Sequence, residues 1–538
     1  MNDEYFRIMA KGLSGELDYL PLDEVLPHFE NYRANFLLDR EVAVCYLNRF
    51  LASVRKGEEK AQPALQYLID KCLQLAPFDI AHIRTPAAMA DPETRLKIEI
   101  LDKTNADPKG LKMIMGLNLG REAEDASTFL RKLLAMYPNF ALAAGLLLRV
   151  ERTMGRRPDW LDGFKCPRRL QDDFNAMVFM QYASIGAAEE AEALWTGLPE
   201  AMKREVLLNF AAEVARMRGD VPEAIVRYER SLALDPSQTS IRFRLRELKT
   251  PSVKHSALVD QRRVAICLYS WNKAELLDST LKSLAASNIG QATVTLLLNG
   301  CTDNSQEVAE KARALFPNNR YTIIPLHVNI GAPAARNWLI NLPQTWDSDY
   351  VAFLDDDVDV PVDWLEWYLT LAEADPKVGV VGCKVVFPGD PQMLQYLYRY
   401  VSVAREDMLK MSLNSPDHQY DNGAYDFIRE TRSVMGCLHL FRTGALKDAP
   451  FFDIRFSPSQ VDDIDHDLAM CLAGWKVMYC GLVTCVHHQS SGWGVRTSLS
   501  DIARAGNAIG NDLKFFYKHF PNMEKLHALD NLSLLREL

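Results

Sequence analysis

The feature that most constrains the fold is a change of hydrophobic pattern near residue 250. Up to about residue 245, apolar residues recur every three or four positions, which predicts helices without strands. Beyond residue 262, short apolar runs alternate with amphipathic segments, as in RVAICLYSW followed by KAELLDSTLKSLAAS. Strands that alternate with helices form right-handed βαβ units around a mostly parallel sheet. The sequence therefore predicts an all-α domain at 1–245, a linker at 246–261, an α/β domain at 262–497 and a helical tail at 498–538.

The helical half carries an internal repeat. Gly219 and Ala224 lie 33 positions after Gly186 and Ala191, and Pro236 follows the later pair. Small residues let paired helices approach closely, and proline ends the second helix of a repeat unit. This spacing resembles that of tetratricopeptide repeats, and a plain helical bundle is the alternative.

Length and composition limit the classes of protein. At 538 residues the chain is long enough for two or three domains. Its formal net charge of −10 argues against nucleic acid or an anionic membrane as a partner, because both attract basic surfaces. No apolar run approaches the ~18 residues of a membrane span. The 10 cysteines include no CxxC pair, which is typical of free thiols, so we expect a cytoplasmic protein.

An acidic cluster follows one of the predicted strands. In VAFLDDDVDVP, the apolar strand ends in Asp355, Asp356 and Asp357, and Asp359 comes two residues later. Like charges this close repel one another, so water or a cation must hold them. Ligands of parallel sheets bind at the carboxyl ends of the strands, which is where this cluster lies. The chain has no GxGxxG and no Walker motif, so neither a nicotinamide fingerprint nor a P-loop is indicated.

Four stretches of residues 262–495 together resemble the inverting family-2 glycosyltransferases, which have the GT-A fold. In chain order they are CLYSWNKAELLDSTLKSL, LLLNGCTDNSQEV, HVNIGAPAARNWLI with LDDDVDVP, and FFDIRFSPSQVDDIDHDLAMCLAGWKVMYCGLVTCVHH. The resemblance implies a Rossmann-like α/β domain that binds a nucleotide-sugar donor together with a divalent cation.

The resemblance also implies a set of donor-binding residues. Trp271 is expected to stack on the nucleotide base, with packing against the sheet edge as the alternative. Asp303 has a second interpretation as an N-cap of the following helix. Arg336 lies near the diphosphate or braces the acidic cluster. The full donor-binding set is Ser270, Trp271, Asn272, Asn299, Asp303, Asn329, Gly331, Arg336, Asp355 and Asp356.

Two positions depart from the family pattern. Tyr269 stands where a proline is usual, and Leu298 stands where an acidic residue often contacts uracil. Asn299 can both donate and accept hydrogen bonds, so it can take over the contact with the base. A UDP-sugar therefore remains the expected donor.

The metal site implied by the resemblance consists of Asp355, Asp357 and His487. A sugar diphosphate brings about two further negative charges to this cluster, so a divalent cation must lie between the two. Mn²⁺ or Mg²⁺ suits such oxygen-rich ligands. Because neighbouring residues of a strand face opposite sides, one of His487 and His488 is expected to point at the cation.

The catalytic base implied by the resemblance is Asp463, with Asp462 as the fallback. An inverting transfer needs one carboxylate that takes the proton of the acceptor opposite the leaving group. Aspartates at the start of a helix also have an ordinary role in capping and in balancing the helix dipole.

The acceptor is harder to predict from the sequence. Helical repeats usually bind proteins or peptides, so we expect a protein or peptide acceptor, with homo-oligomerisation through the helical half as a further use. The competing predictions are a transferase for a saccharide or lipid-linked precursor and a scaffold whose transferase domain has decayed. A nucleotidyltransferase is disfavoured because the glycine-rich loop after the first strand is missing.

Overall fold

The computed structural model describes residues 11–79, 84–85, 89–105, 123–405, 410–414, 416, 419–488 and 502–529. The chain divides into two units. The first unit takes Met1–Lys249 and two short segments of the later chain, Gly389–Gln392 and Gln419–Ala424. The second unit takes Thr250–Pro388, Met393–His418 and Tyr425–Leu538. The sequence did not predict that the two short segments belong to the first unit.

The described part of the first unit is helical, as its apolar spacing predicts. Its helices are α1 (Leu13–Tyr19), α2 (Leu22–Asn35), α3 (Arg40–Arg55), α4 (Gln62–Leu75), α5 (Pro92–Thr104), α6 (Ala123–Met136), α7 (Ala141–Arg152), α8 (Gln171–Ser184), α9 (Ala188–Gly197), α10 (Glu205–Met217), α11 (Val221–Leu234) and α12 (Thr239–Lys249).

The repeat seen in the sequence corresponds to two helix pairs, α8–α9 and α10–α11. Gly186 and Gly219 end the first helix of each pair with positive φ angles of 71° and 84°, a conformation that glycine adopts without steric cost. Ala191 and Ala224 are fully buried, so the small residues lie where paired helices approach each other. The described geometry fits a helical repeat, while the tetratricopeptide assignment stays a prediction.

A buried ion-pair cluster links helices within the first unit. The carboxylate of Glu213 is fully buried and accepts hydrogen bonds from the Arg244 guanidinium at 2.8 and 3.2 Å. It also accepts one from the Tyr228 hydroxyl at 2.6 Å and pairs with Arg216. Burial opposes the charge of Glu213, but the guanidinium groups outweigh it and lower its pKa.

The second unit combines a large sheet with helices. Its strands are β1 (Val264–Ser270), β2 (Thr293–Asn299), β3 (Tyr321–Leu326), β4 (Tyr350–Leu354), β5 (Val358–Asp359), β6 (Val378–Phe387), β7 (Met393–Tyr396), β8 (Tyr400–Arg405), β9 (Lys410–Asn414), β10 (Ile428–Thr431), β11 (Leu438–Arg442) and β12 (Lys476–His487). Its helices are α13 (Leu258–Gln261), α14 (Ala274–Ala286), α15 (Ser305–Lys311), α16 (Ala332–Ile340), α17 (Pro343–Trp346), α18 (Trp364–Ala374), α19 (Thr443–Asp448), α20 (Asp462–Leu472) and α21 (Ile502–His519).

The large sheet is mixed and mostly parallel. Its strand order is β10-β12-β6-β11-β4-β1-β2-β3, with β5 paired to β12 and β7 to β6, and β8 and β9 form a separate hairpin. Strand β1 pairs in parallel with β2 and β4, which brings the carboxyl ends of all three strands to one edge. Strand β11 runs antiparallel between β4 and β6, a feature that the sequence pattern did not predict.

The carboxyl-terminal helix α21 packs on α20 and the hairpin. The contact is a small apolar cluster in which Phe515, Phe516 and Met523 meet Ile464 and Leu468. In the part of the chain that the structure describes, every helix is too short or too polar to cross a membrane.

Candidate active site

The acidic cluster lies at the carboxyl end of β4, as the sequence predicts. Asp355 accepts hydrogen bonds from the Tyr269 hydroxyl at 2.9 Å and from the Arg336 guanidinium at 3.3 Å. Its backbone N–H donates to the carbonyl of Cys437, the residue before β11. The Asp355 carboxylate is thus oriented by β1, by α16 and by the segment entering β11.

Asp356 and Asp357 are almost fully buried beside Lys273. The Lys273 ammonium donates to Asp356 at 3.2 Å and to Asp357 at 2.7 Å, and the backbone N–H of Trp271 donates to Asp356 at 3.2 Å. Burial raises the pKa of Asp356. Burial also opposes ionisation of Asp357, but the nearby His487 and Lys273 outweigh it and lower the pKa of that carboxyl.

Three of the predicted residues form a group that can hold a metal ion. One ligand atom from each of Asp355, Asp357 and His487 lies within 4.8 Å of the others. The Asp357 Oδ1 and His487 Nε2 atoms are 3.1 Å apart. That spacing equals about one edge of an octahedron with metal–ligand bonds near 2.1 Å, so the two atoms suit neighbouring coordination positions.

A glutamine orients the predicted metal-binding histidine. His487 Nδ1 lies 3.0 Å from Gln395 Oε1 on β7, so the ring can donate there and present the Nε2 lone pair to a cation. The neighbouring His488 points elsewhere and pairs with Asp359 at 2.6 Å. The structure therefore selects His487 over His488 as the histidine that faces Asp357.

The predicted base residues open helix α20 beside Arg336. The guanidinium of Arg336 pairs with Asp462 and also reaches the Gly436 carbonyl at 3.2 Å. Asp463 Oδ2 accepts the Gly436 N–H at 2.9 Å. A Cβ at Gly436 would lie 2.8 Å from the Asp463 Cβ, so this close approach requires glycine.

Electrostatics distinguish the two members of this pair. Asp462 is 2% exposed, and burial raises its pKa to about 6 despite the neighbouring Arg336. The carboxylates around Arg336 together raise the pKa of its guanidinium, although burial alone would lower it. Asp463 is partly exposed, and its carboxylate is held by backbone N–H groups rather than by a cation side chain. The Arg336 side chain thus joins Asp462, one of the two predicted base residues, to Asp355 of the group that can hold a metal ion.

Several predicted donor residues hold the loops around the site. Asn299 Oδ1 accepts the Ile330 N–H at 2.9 Å, and its Nδ2 donates to Asn329 Oδ1 at 2.9 Å. Asn329 Oδ1 also accepts the Gly331 N–H at 2.8 Å. These bonds join the ends of β2 and β3 to the start of α16.

Asn272 and Asp303 form a second set of loop contacts. Asn272 Oδ1 accepts the Thr302 N–H at 2.7 Å. Asp303 accepts the backbone N–H groups of Ala274 and Ser305 at 3.0 and 3.1 Å, which are at the starts of α14 and α15. This geometry agrees with the capping interpretation of Asp303.

Trp271 and Ser270 differ in accessibility. Ser270 is fully buried, whereas the Trp271 side chain is 52% exposed at the mouth of the site. An exposed indole at the end of β1 offers a flat apolar face for a planar ligand.

The sequence reasoning did not single out Lys273, Gln395 or Gly436. Lys273 directly follows the Ser-Trp-Asn turn, so a cation next to a predicted acidic cluster was an available signal. Gln395 and Gly436 lie 92 and 27 residues from the side chains that they contact, and no local pattern marks them.

Comparisons with known proteins bear on the second unit. Residues 261–500 match the family model described as glycosyltransferase-like family 2. No curated protein matches the chain. Similar solved structures include GalNAc-T7 with UDP, GalNAc and Mn²⁺, at 10% identity and a TM-score of 0.35, where the match covers 44% of this chain and 47% of that one. The match therefore spans about half the length of GalNAc-T7.

Two further similar structures are microbial. The mannosyltransferase PcManGT from Pyrobaculum calidifontis, in complex with GDP-Man and Mn²⁺, is 18% identical with a TM-score of 0.35, covering 56% of this chain and 76% of that one. S. aureus TarS 1–349 is 15% identical with a TM-score of 0.30, covering 48% and 72%. The stretch that matches the glycosyltransferase-like family 2 model contains the acidic end of β4, His487 and the start of α20.

Proposed function

We propose that the protein transfers a sugar from a UDP-sugar to a protein or peptide acceptor, with inversion and with a divalent cation. The observation that carries the proposal is the group of Asp355, Asp357 and His487, whose ligand atoms lie within 4.8 Å of one another. The imidazole ligand favours Mn²⁺ over Mg²⁺, because Mg²⁺ takes oxygen ligands almost exclusively. When bound, the cation supplies positive charge for the leaving nucleoside diphosphate.

The chain's own residues have distinct roles in this proposal. Trp271 offers its exposed indole to the uracil, and Lys273 holds two of the aspartates in place. Arg336 ties Asp355 to Asp462, which keeps the donor and acceptor sides of the site in register. Asp463 takes the proton from the acceptor hydroxyl, since Asp462 is occupied by Arg336 and more deeply buried.

The acceptor proposal rests on the helical unit. Two segments within the stretch 385–434, where GT-A enzymes usually build acceptor specificity, belong to that unit. One of these segments, Gln419–Ala424, contacts residues elsewhere in that unit. Gln419 Nε2 donates to the Leu37 carbonyl at 2.9 Å, and the Arg152 guanidinium lies 5.8 Å from the Tyr420 ring centroid. Helical repeats commonly bind extended peptides, which supports a protein or peptide acceptor.

A thermal-shift panel tests the donor and the cation. UDP-, GDP-, dTDP- and CMP-sugars are compared with and without Mn²⁺ on wild type, Asp357→Asn and the exposed control Asp278→Asn. A ligand at 100 times its Kd stabilises the folded state by about 2.7 kcal/mol. We expect a Mn²⁺-dependent shift with UDP-sugars in wild type and in the control, and its loss in Asp357→Asn. A shift with another nucleotide sugar would contradict the uridine assignment. If none of the nucleotide sugars gives a shift, the alternative of a non-catalytic scaffold is favoured.

The class of acceptor is tested by finding which molecules receive a radiolabelled sugar. The protein is incubated with a radiolabelled UDP-sugar, Mn²⁺ and separate fractions of protein, lipid extract and free saccharides. We expect label in the protein fraction, and none there with Asp463→Asn. Label in the lipid or saccharide fraction alone would make the alternative acceptor the correct one.

A further inference from the structure

We propose that Asn511 of helix α21 is a positioning residue for the catalytic carboxylates, because it holds the strained turn that precedes them. This inference rests on the proposed function, in which Asp463 is the base. The turn consists of Gln460 and Val461, and Asp462 and Asp463 follow it directly at the start of α20.

The turn has an unusual backbone. Gln460 and Val461 have φ angles of 80° and 73°, a region that L-residues rarely adopt. Valine is especially disfavoured there because its branched side chain crowds the backbone. Val461 is also the residue that caps α20, where an extended conformation is usual. Without restraint the turn would relax toward negative φ and rotate the first turn of α20, which carries both carboxylates.

Restraint comes from hydrogen bonds to three successive carbonyl groups. The Pro458 carbonyl accepts the backbone N–H of Ala332, at the start of the donor-side helix α16, at 2.8 Å. The Ser459 and Gln460 carbonyls both accept from Asn511 Nδ2, at 3.1 Å each. The loop is thus held by the backbone N–H of Ala332, at the start of α16, and by the side-chain amide of Asn511 on α21.

Asn511 is suited to this role by its burial and its orientation. Its side chain is fully buried, and its Oδ1 accepts a hydrogen bond from Lys514 at 3.0 Å. That bond directs the NH₂ group toward the two carbonyls. One amide group carries two hydrogens, so it can serve both carbonyls at once.

Helix α21 itself is firmly attached to α20. Asp465, in the first turn of α20, pairs with His519 at 2.7 Å and with Lys518 at 2.7 Å. Phe515 and Phe516 pack in the apolar cluster beneath them. These contacts hold Asn511 close to the start of α20, whose first carboxylates it positions.

The experiment compares Asn511→Asp, Asn511→Ala and the matched control Met523→Ala with wild type. Asn511→Asp keeps the shape and replaces the donor by an acceptor, whereas Met523→Ala weakens the same apolar cluster without touching the turn. The measured quantities are kcat and KM for hydrolysis of the UDP-sugar that wild type binds, the Kd for UDP with Mn²⁺, and hydrogen exchange over residues 459–466.

We expect both Asn511 variants to lower kcat by about 10- to 100-fold, because small displacements of reacting groups have effects of that size. KM and the Kd for UDP with Mn²⁺ should stay unchanged, and exchange over 459–466 should accelerate about tenfold. Met523→Ala should lower the melting temperature and leave kcat unchanged. In the Asn511→Ala background, Gln460→Gly should restore part of kcat, because glycine removes the strain at the exposed residue 460 while Val461 keeps its own.

Unchanged kcat and exchange in the Asn511 variants would overturn the inference. So would an equal loss of kcat in Met523→Ala, because it would show that general destabilisation suffices. If wild type neither binds UDP with Mn²⁺ nor hydrolyses any nucleotide sugar, the proposed function fails. The exchange measurement then still decides whether Asn511 holds the turn.

Discussion

Two buried carboxylates, one in each unit, carry opposite electrostatic environments. Glu213 of the helical unit meets two guanidinium groups and a tyrosine hydroxyl, and its pKa is lowered although burial opposes this. Asp462 of the second unit shares one guanidinium with Asp355, and burial raises its pKa to about 6. The first carboxylate is fully compensated within the protein, whereas the second is not.

The same contrast extends to the clusters around them. Among the described residues of the candidate site, five aspartates (355, 356, 357, 462 and 463) lie around Lys273 and Arg336. An excess of negative charge in a buried cleft stabilises a bound cation and keeps a carboxylate ready to accept a proton. An excess of negative charge would only destabilise a cluster that stabilises the fold. The cluster around Glu213 is balanced by arginines, and the cluster around Lys273 and Arg336 is not.

The largest effect is expected from Asp463→Asn. The amide cannot accept the proton of the acceptor, so kcat should fall by about 10²- to 10⁴-fold with little change in melting temperature. Steady-state kinetics with the donor and Mn²⁺ measure it. Retained activity in Asp463→Asn together with loss in Asp462→Asn would transfer the base role to Asp462.

Glu213→Gln should do the reverse: it should lower the free energy of unfolding and leave kcat unchanged. Removing the charge leaves the buried guanidinium of Arg244 and the partly exposed one of Arg216 with a weaker partner, which destabilises folding by about 3 kcal/mol. Chemical denaturation gives the free energy of unfolding, and kcat measured below the transition should equal that of wild type. A fall in kcat without a loss of stability would show that the two units are functionally coupled.

The pH dependence of stability is expected to differ between wild type and Asp462→Asn. Because the pKa of Asp462 is raised in the folded state, from 3.8 to about 6, the folded state binds the extra proton between these values. The contribution of Asp462 to stability therefore falls as pH rises from about 4 to 6, by up to about 3 kcal/mol. Unfolding free energies of the two proteins across this range test it, and parallel curves would contradict the raised pKa.

Gln395→Ala should have the smallest effect of the four. Loss of the partner of His487 Nδ1 should weaken Mn²⁺ binding by about 10- to 100-fold, a typical result for residues that orient metal ligands. Titration of Mn²⁺ in the presence of UDP measures the change, and kcat at saturating Mn²⁺ should be near wild type. An unaltered Mn²⁺ affinity would show that Gln395 does not orient His487 for metal binding.

Much of the site was predictable because it lies at strand ends. Asp355 and Asp357 follow an apolar run, and parallel pairing of β1 with β2 and β4 brings their neighbours to the same edge. The partners Lys273 and Gly436 were not predicted in their roles. Asn299, which we expected to face the base, has both polar groups bonded to the turn around Asn329. Whether it also reads the donor stays a prediction.

The sequence by itself determined the two kinds of architecture, the acidic strand end and the helix that begins at Asp462 and Asp463. These features depend on local periodicity and on the order of motifs, which the chain displays directly. Tertiary structure alone decided which histidine faces Asp357, that Arg336 joins Asp355 to Asp462, and that Asn511 contacts the turn before α20. Those relations depend on side chains that meet across long stretches of chain, where distance and burial, rather than spacing, set the charge and the geometry.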